Sequence, residues 1–240
     1  MGYLRTFFNT VFIGAAAILW LVFSSAVAAP FLYFKRDKTA RAVRKFVYIQ
    51  SCGIVNFIRL ASKSFKVESA PRPKGSCIVA ANHASALDLY TISAFGFDNV
   101  LYITKGWVFK LPFFRYVMNG AGYIDAQKTP PEQMLALCRK AAEDGCDIVL
   151  FPQGSRKNPQ ARFKSGAFYL AQQLDLPIVP VALKGTQDML PAGSFTIKAA
   201  DIVLKSFGPV YPKDFNGEIG HLRMAQAVKK QIMDFVNGDN

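Results

Sequence analysis

The stretch Cys77-Ile78-Val79-Ala80-Ala81-Asn82-His83-Ala84-Ser85-Ala86-Leu87-Asp88 joins a short apolar run to a polar turn. Its first five residues are apolar and Asn82 follows at once, which is typical of a buried strand that ends at a turn. Residues 85–95 are predicted as a helix, because Ser85 is a favourable residue for a helix N-cap. The stretch therefore predicts a strand, a turn that carries His83, and a helix.

The same alternation of strands and helices continues along the chain. The predicted strands are rich in Val and Ile and are bounded by Gly, Pro, Asn or Asp. They are Cys77–Ala81, Val100–Thr104, Gly122–Asp125, Ile148–Phe151, Ile178–Leu183 and Ile202–Phe207. The predicted helices are Ser85–Phe95, Trp107–Met118, Pro131–Asp144, Lys164–Leu174 and Glu218–Val236. This order predicts an α/β fold, with a mixed, largely parallel sheet flanked by helices.

Composition and charge narrow the classes of partner. The chain has 240 residues, 51% of them hydrophobic and 19% charged, which suits a folded domain and excludes a disordered one. Much of the net charge of +13 lies between Lys35 and Lys74, a stretch that contains eleven basic residues and only two acidic ones. This basic block follows an apolar segment directly and no nucleic-acid-binding motif is present. The pattern therefore favours an anionic phospholipid membrane over nucleic acid.

The N-terminal segment is predicted to associate with a membrane. Residues 7–34 are 28 consecutive residues without a charge. A helix over residues 7–29 measures about 35 Å, so it could cross a bilayer or lie shallowly in one leaflet. Residues 41–65 are predicted as a basic amphipathic helix that suits anionic headgroups.

These features predict two regions, a membrane-associated helical segment over residues 1–70 and the α/β domain over residues 71–240. The excess of Lys and Arg after the apolar run predicts that the α/β domain lies on the cytoplasmic face of an inner membrane. The alternative is a signal peptide cleaved near Ala28. A single preceding charge, Arg5, and the basic cluster after the cut both disfavour that alternative.

The cysteines do not form a recognisable framework. None of Cys52, Cys77, Cys138 and Cys146 belongs to a Cys-x-x-Cys pair, and the chain has only two histidines. We therefore expect no zinc site and no disulfide framework, and we interpret the four residues as buried thiols of a reducing compartment.

The spacing of His83 and Asp88 is compatible with acid–base chemistry. A neutral imidazole can take a proton from a hydroxyl, and a carboxylate on its other nitrogen orients the ring. If Ser85 caps the helix, His83 lies on the incoming loop and can fold back towards Asp88. In the alternative interpretation, Ser85-x-x-Asp88 is a capping-box pattern and the carboxylate only satisfies the helix start.

A second polar turn, Phe151-Pro152-Gln153-Gly154-Ser155-Arg156, follows a predicted strand. Such turns face the usual ligand crevice of an α/β sheet. Gly154 permits close approach of the backbone, and the Arg156 guanidinium offers a fork of donors for a phosphate. An ordinary turn with a solvated arginine is the alternative.

In order and spacing, four segments resemble the motifs of the glycerophospholipid acyltransferase family, and most closely the 1-acyl-glycerol-3-phosphate acyltransferases. These segments are Asn82-His83-x4-Asp88, Gly122–Asp125, Phe151–Arg156 and Pro177–Val181. Together with the flanking sequence, the resemblance covers roughly residues 76–185 and implies the family's α/β fold.

The resemblance implies transfer of a fatty acyl chain to a lysophospholipid at a membrane. The donor would be acyl-CoA or acyl carrier protein, with no metal and no further cofactor. His83 would be the general base and Asp88 would orient it, while Asn82 and Gln153 would position the motifs. The implied ligands of the acceptor phosphate are Gly154, Ser155, Arg156, Lys128 and Lys164.

The chain departs from the family pattern at three positions. Gln153 stands where the family usually has Glu, and Ser155 where it usually has Thr. Ala126 stands where an Arg usually follows the Asp of the second motif, and Lys128 could replace that cation. The expected acceptor is 1-acyl-sn-glycerol-3-phosphate, which gives phosphatidic acid. Another lysolipid, such as a lyso-ornithine lipid, and a catalytically weak membrane-binding relative are the alternatives.

Overall fold

The computed structural model describes residues 2–34, 40–110, 112–156, 158 and 160–238. Of the basic cluster, Lys35, Arg36 and Lys38 lie outside the described residues. The strands are β1 (Ser64–Glu68), β2 (Ile78–Ala81), β3 (Val100–Thr104), β4 (Ile124–Asp125), β5 (Asp147–Leu150), β6 (Ile178–Lys184) and β7 (Asp201–Ser206). The helices are α1 (Gly2–Phe8), α2 (Gly14–Phe34), α3 (Ala40–Ala61), α4 (Asp88–Thr91), α5 (Pro112–Gly120), α6 (Pro131–Glu143), α7 (Gly166–Leu174), α8 (Thr186–Met189) and α9 (Gly220–Asn237). A π-helical segment joins α1 to α2, and short 3₁₀ helices span Ile92–Phe95, Gly106–Lys110 and Pro212–Asp214.

The seven strands form one sheet in the order β1-β7-β6-β2-β5-β3-β4. Every neighbouring pair is parallel except β6 and β7. This confirms the predicted mixed, largely parallel sheet flanked by helices. Because β2, β3, β4, β5 and β6 run in the same direction, the turns that follow them open on one edge of the sheet.

The central strand β2 separates two halves of the core. Ile78 and Ala80 pack with residues of α6, α7 and α9, whereas Val79 and Ala81 pack with residues of α3 on the other face. All four residues of β2 are buried. A strand covered on both faces is apolar throughout, which explains its short continuous hydrophobic run.

The N-terminal helices lie antiparallel to α3. Arg5 Nη2 donates to the carbonyl of Ser62 at 2.7 Å, and Trp20 Nε1 donates to the carbonyl of Gln50 at 3.1 Å. Gly53 leaves room for the indole, since a Cβ at that position would overlap Trp20.

The opposite face of the N-terminal helices is exposed and apolar. The segment Gly2–Val27 has a mean hydropathy of 2.1 over its most apolar window, and only 6% of that window is buried. Its length and apolar composition are those of a helix that could cross a membrane. Its exposed large side chains are Tyr3, Leu4, Phe7, Phe8, Val11, Phe12, Ile18, Leu19, Val22, Phe23 and Val27.

The amphipathic helix differs from its prediction in length and in what it covers. It ends at Ala61 instead of Phe65, and residues 64–68 form β1, which pairs in parallel with β7. Ile54 and Ile58 pack against the protein's own sheet, so this part of the apolar face of α3 is not available to lipid. Arg44 is buried and donates to Asn99 Oδ1 at 2.8 Å instead of facing headgroups. β1 also connects the two sides of the predicted boundary at residue 70.

Three other predicted elements are shorter or divided. The helix predicted from Ser85 begins at Asp88 and continues as a 3₁₀ helix to Phe95. The helix predicted over residues 107–118 is split, because Pro112 has no N–H to extend the preceding turn and starts α5 instead. Gly122 has a φ of +71°, so the strand predicted from that residue begins only at Ile124.

Candidate active site

Asn82 determines where the chain leaves the sheet after β2. Its Nδ2 donates to the carbonyl of Leu183 at 2.9 Å, and its Oδ1 accepts the N–H of Leu183 at 2.7 Å. The side chain therefore pairs with β6 as a strand residue would. Since Asn82 is buried, these two bonds hold the following His83 turn against the sheet.

The structure brings His83 and Asp88 together. His83 Nδ1 lies 2.9 Å from Asp88 Oδ2, and the same oxygen accepts the backbone N–H groups of Ala84 at 2.7 Å and Ser85 at 2.8 Å. The Asp88 side chain is fully buried and the imidazole is 16% exposed. Three donors thus stabilise the carboxylate charge, and Nε2 is the imidazole nitrogen left for a substrate.

The Asp88 carboxylate also closes the turn that leads into α4. It accepts the N–H of Ser85, and Ser85 Oγ accepts the N–H of Leu87 at 3.2 Å, so the predicted capping box, which needs Ser85 Oγ on the N–H of Asp88, is not formed. The regular helix starts at Asp88 itself. The carboxylate closes the turn before α4 and holds the imidazole of His83 with the same oxygen.

Two residues of the second polar turn contact His83. The Phe151 ring stacks on the imidazole, with centroids 4.3 Å apart and planes 25° apart. The buried Gln153 side chain accepts the backbone N–H of His83 through Oε1. These contacts exist because β2 and β5 are parallel neighbours, which places the turns after them side by side. The sequence marked Phe151 as the start of a motif, but it did not indicate the stacking.

The Gly154 turn and Lys164 also meet. Gly154 has a φ of +67°, in the left-handed region that favours glycine. A Cβ at this position would lie 3.2 Å from Lys164 Nζ, so the lysine side chain lies directly over the turn. The backbone N–H of Lys164 donates to the carbonyl of Pro152 at 2.9 Å. Ser155 and Arg156 follow Gly154 and are partly exposed.

Lys128 lies farther along the same edge of the sheet. It follows β4, which is three strands away from β2 in the sheet order. It lines an open cavity of about 960 Å³, and the described lining of that cavity also contains Lys110 and Arg115 but not His83 or Arg156. The structure therefore does not group Lys128 with the other predicted phosphate ligands. Ala126 is exposed.

Three of the four cysteines are buried as predicted, whereas Cys52 is partly exposed, and the buried three are unsuited to nucleophilic catalysis. Burial raises the pKa of the Cys138 thiol to about 12 and that of Cys146 to about 11. Burial also raises the pKa of Cys77, where the nearby Asp147 carboxylate adds to the effect. Because the thiolate is the reactive form, these three residues remain unreactive near neutral pH. The rings of the second histidine, His221, and Tyr169 make a T-shaped contact on the α9 side of the sheet.

A family model described as Acyltransferase matches residues 63–184. The chain belongs to the acyltransferase family. This confirms the resemblance predicted from the four motifs.

Two relatives of this acyltransferase-family chain are named 1-acyl-sn-glycerol-3-phosphate acyltransferase. The chain is 29% identical over 151 residues to a chloroplastic 1-acyl-sn-glycerol-3-phosphate acyltransferase of Brassica napus. The match covers 60% of this chain and 44% of that protein. The chain is 23% identical over 168 residues to the 1-acyl-sn-glycerol-3-phosphate acyltransferase of Helicobacter pylori, covering 66% and 69%. The chain therefore spans less than half the length of the Brassica relative.

A solved structure shares the fold of this family member. The 1-acyl-sn-glycerophosphate acyltransferase of Thermotoga maritima superposes with a TM-score of 0.77 and 22% sequence identity. The superposition covers 99% of this chain and 97% of that one, so the shared fold includes the N-terminal helices.

Proposed function

We propose that the protein transfers a fatty acyl chain from acyl-CoA or acyl carrier protein to the free hydroxyl of 1-acyl-sn-glycerol-3-phosphate, giving phosphatidic acid. The observation that carries the proposal is the 2.9 Å contact between His83 Nδ1 and Asp88 Oδ2, beside the Gly154 turn. The names of the Brassica and Helicobacter relatives support the same acceptor.

The proposed mechanism uses the imidazole as a general base. His83 Nε2 takes the proton of the acceptor hydroxyl while the hydroxyl oxygen attacks the thioester carbonyl carbon. The tetrahedral intermediate then collapses, the C–S bond breaks, and the leaving thiolate takes the proton from the imidazolium. Asp88 stabilises the imidazolium between these steps and keeps the proton of the neutral ring on Nδ1.

The proposed phosphate site lies at the turn after β5. The Gly154 backbone, the Ser155 hydroxyl and the cations of Arg156 and Lys164 would bind the acceptor phosphate. Lys164 supports this assignment because its side chain lies over Gly154. Lys128 would contribute only to a headgroup that extends towards β4, since it lines a different part of the edge.

A different lysolipid is the second candidate acceptor. The exposed Ala126 removes a cation that the family usually places after the second motif, which weakens binding of a phosphomonoester. A lyso-ornithine lipid or another lysophospholipid would tolerate this loss.

The membrane arrangement is also a proposal. The N-terminal helices contact α3 through Trp20 and the residue after α3, Ser62, through Arg5. Helix α3 in turn packs on the sheet. A helix held along the body in this way favours insertion into one leaflet over crossing the bilayer. The basic residues that follow it would bind the anionic lipids of the cytoplasmic leaflet, which places the α/β domain on the cytoplasmic face.

The test is a matrix of acceptors and donors with the purified protein. Vesicles would contain 1-acyl-sn-glycerol-3-phosphate, a lysophospholipid without a phosphomonoester, or a lyso-ornithine lipid. Each would be assayed with acyl-CoA and acyl carrier protein that carry the same chain. We expect phosphatidic acid to form fastest. A faster product from either other acceptor would replace the first candidate, and no product with any acceptor would indicate a catalytically weak relative.

A further inference from the structure

We propose that the loop between α8 and β7 is a second membrane contact, with Phe195 inserted among lipid chains. This loop, residues 190–200, is called the Phe195 loop below. The proposal rests on membrane attachment of the N-terminal helices and goes beyond the proposed reaction.

The first observation is exposure. Phe195 is 93% exposed, the most exposed large apolar side chain of the described residues outside α1. The neighbouring Ser194, Thr196 and Lys198 are polar, and Lys198 is exposed. A single exposed aromatic ring with a nearby cation suits the membrane interface, where the ring enters the apolar layer and the cation meets anionic headgroups.

The second observation is a direct connection to the N-terminal helices. The backbone N–H of Ile197 donates to Thr10 Oγ1 at 3.0 Å. Ile197 Cδ1 also lies 3.4 Å from the position of a Cβ on Gly14, so the loop rests against the helix. The neighbouring helix residues Val11 and Phe12 are exposed and apolar. The Phe195 loop therefore extends an apolar surface that is suited to face lipid.

The third observation is a connection between the Phe195 loop and the His83 turn. Ser85 Oγ donates to the carbonyl of Leu190 at 2.7 Å, and Ser85 forms an isolated β-bridge with Pro191. Lys198 N–H donates to the carbonyl of Met189 at 2.9 Å and closes the base of the loop. One end of the loop thus contacts the residue whose N–H binds Asp88, and the other contacts the membrane helix. This arrangement holds the His83 turn at a set depth relative to the lipid surface.

The experiment measures the depth of residue 195 directly. Phe195→Trp protein is mixed with vesicles whose acyl chains carry bromine, which quenches nearby indoles, and the signal of Trp20 and Trp107 is subtracted with the parent protein. Ile219→Trp is the control, because Ile219 is exposed beside α9, on the face of the sheet opposite α3. We expect quenching of the indole introduced at position 195 and none of the indole introduced at position 219.

Two outcomes would overturn the proposal. The first is an unquenched indole at position 195 in protein that sediments with the vesicles. The second is a concentration-dependent blue shift of the same indole without vesicles, which would assign the loop to a contact between copies of this chain. Neither readout requires turnover, so failure here is distinct from failure of the proposed reaction.

A second pair of variants tests the connection to the helix. In the Phe195→Trp protein, Thr10→Val removes the hydroxyl that accepts the Ile197 N–H, whereas Thr10→Ser keeps it. We expect weaker quenching with valine and unchanged quenching with serine, and equal quenching in both would overturn the connection. Phe195→Ser should lower the vesicle partition coefficient by about tenfold, as expected for loss of one buried aromatic side chain.

Discussion

At the scale of single residues, Asp88 Oδ2 contacts both the backbone N–H groups of the turn and the imidazole of the proposed base, His83. Asp88→Asn keeps the shape of the side chain and removes its charge, so the imidazolium loses its stabilising partner. We expect kcat/KM to fall by no more than about 10⁴-fold. A cooperative thermal unfolding transition would show that the variant is folded. Asp188→Asn, at an exposed position of α8, is the matched control. Unchanged kcat/KM in folded Asp88→Asn protein would leave the carboxylate with a capping function alone.

Arg156 carries the proposed recognition of the acceptor phosphate. A charge-assisted hydrogen bond contributes on the order of 1.5–3 kcal/mol, so Arg156→Ala should lower kcat/KM for the lysolipid by roughly 10–200-fold. Arg156→Lys should restore only part of this loss, because an ammonium lacks the planar fork. Initial rates at varied acceptor and varied donor separate the two substrates. If only the KM of the acyl donor rises, the phosphate site is assigned wrongly.

The residue spacing predicted the pair of His83 and Asp88, because a loop before a helix start lets a side chain fold back over five positions. The stacking of Phe151 on His83 was not predictable in the same way. It requires β2 and β5 to be neighbours, and that pairing joins residues about 70 positions apart, as in the bond between Gln153 and His83. The partner of Asn82, Leu183, is more distant still in sequence.

At the scale of elements, Gly53 controls how closely α2 packs on α3. A Cβ at Gly53 overlaps the Trp20 indole, so Gly53→Ala should displace Trp20 from the Gln50 carbonyl. We expect a loss of about 1–3 kcal/mol in stability, as for other overpacked contacts, together with faster proteolysis of the N-terminal helices. Gly208→Ala is the control, because nothing lies within 4 Å of its Cβ position. Equal proteolysis of both variants would mean that this contact does not hold the helices together.

Local sequence signals predicted most elements but not β1. Ser64–Glu68 contains the charged residues Lys66 and Glu68, and its stability comes from pairing with β7, which lies more than 130 residues later. The same tertiary pairing ends α3 earlier than its amphipathic pattern indicates. The pattern of α3 also predicted an apolar face correctly, but it could not distinguish a sheet from a membrane as the surface that covers it.

At the scale of the whole molecule, apolar burial should dominate membrane attachment. Salt screens the basic residues but not inserted apolar side chains, so about 1 M salt should leave the protein in the membrane fraction. A variant lacking residues 1–34 should bind weakly and be released by salt. Immunoblots of membrane and soluble fractions give the measurement. Release of the full chain by salt, or cleavage of the α/β domain by external protease in intact cells, would contradict the arrangement.

The most direct test of His83 as the general base is acyl transfer by His83→Ala protein. His83 lies on a turn whose backbone N–H bonds to Gln153 and Asp88 do not need the imidazole, so the variant should fold. The assay uses acyl-CoA or acyl carrier protein and vesicle-bound 1-acyl-sn-glycerol-3-phosphate. We predict that kcat/KM falls by about 10²–10⁴-fold relative to the parent protein. Turnover within a few-fold of the parent, by protein with an unchanged circular dichroism spectrum, would contradict the assignment of His83 as the general base.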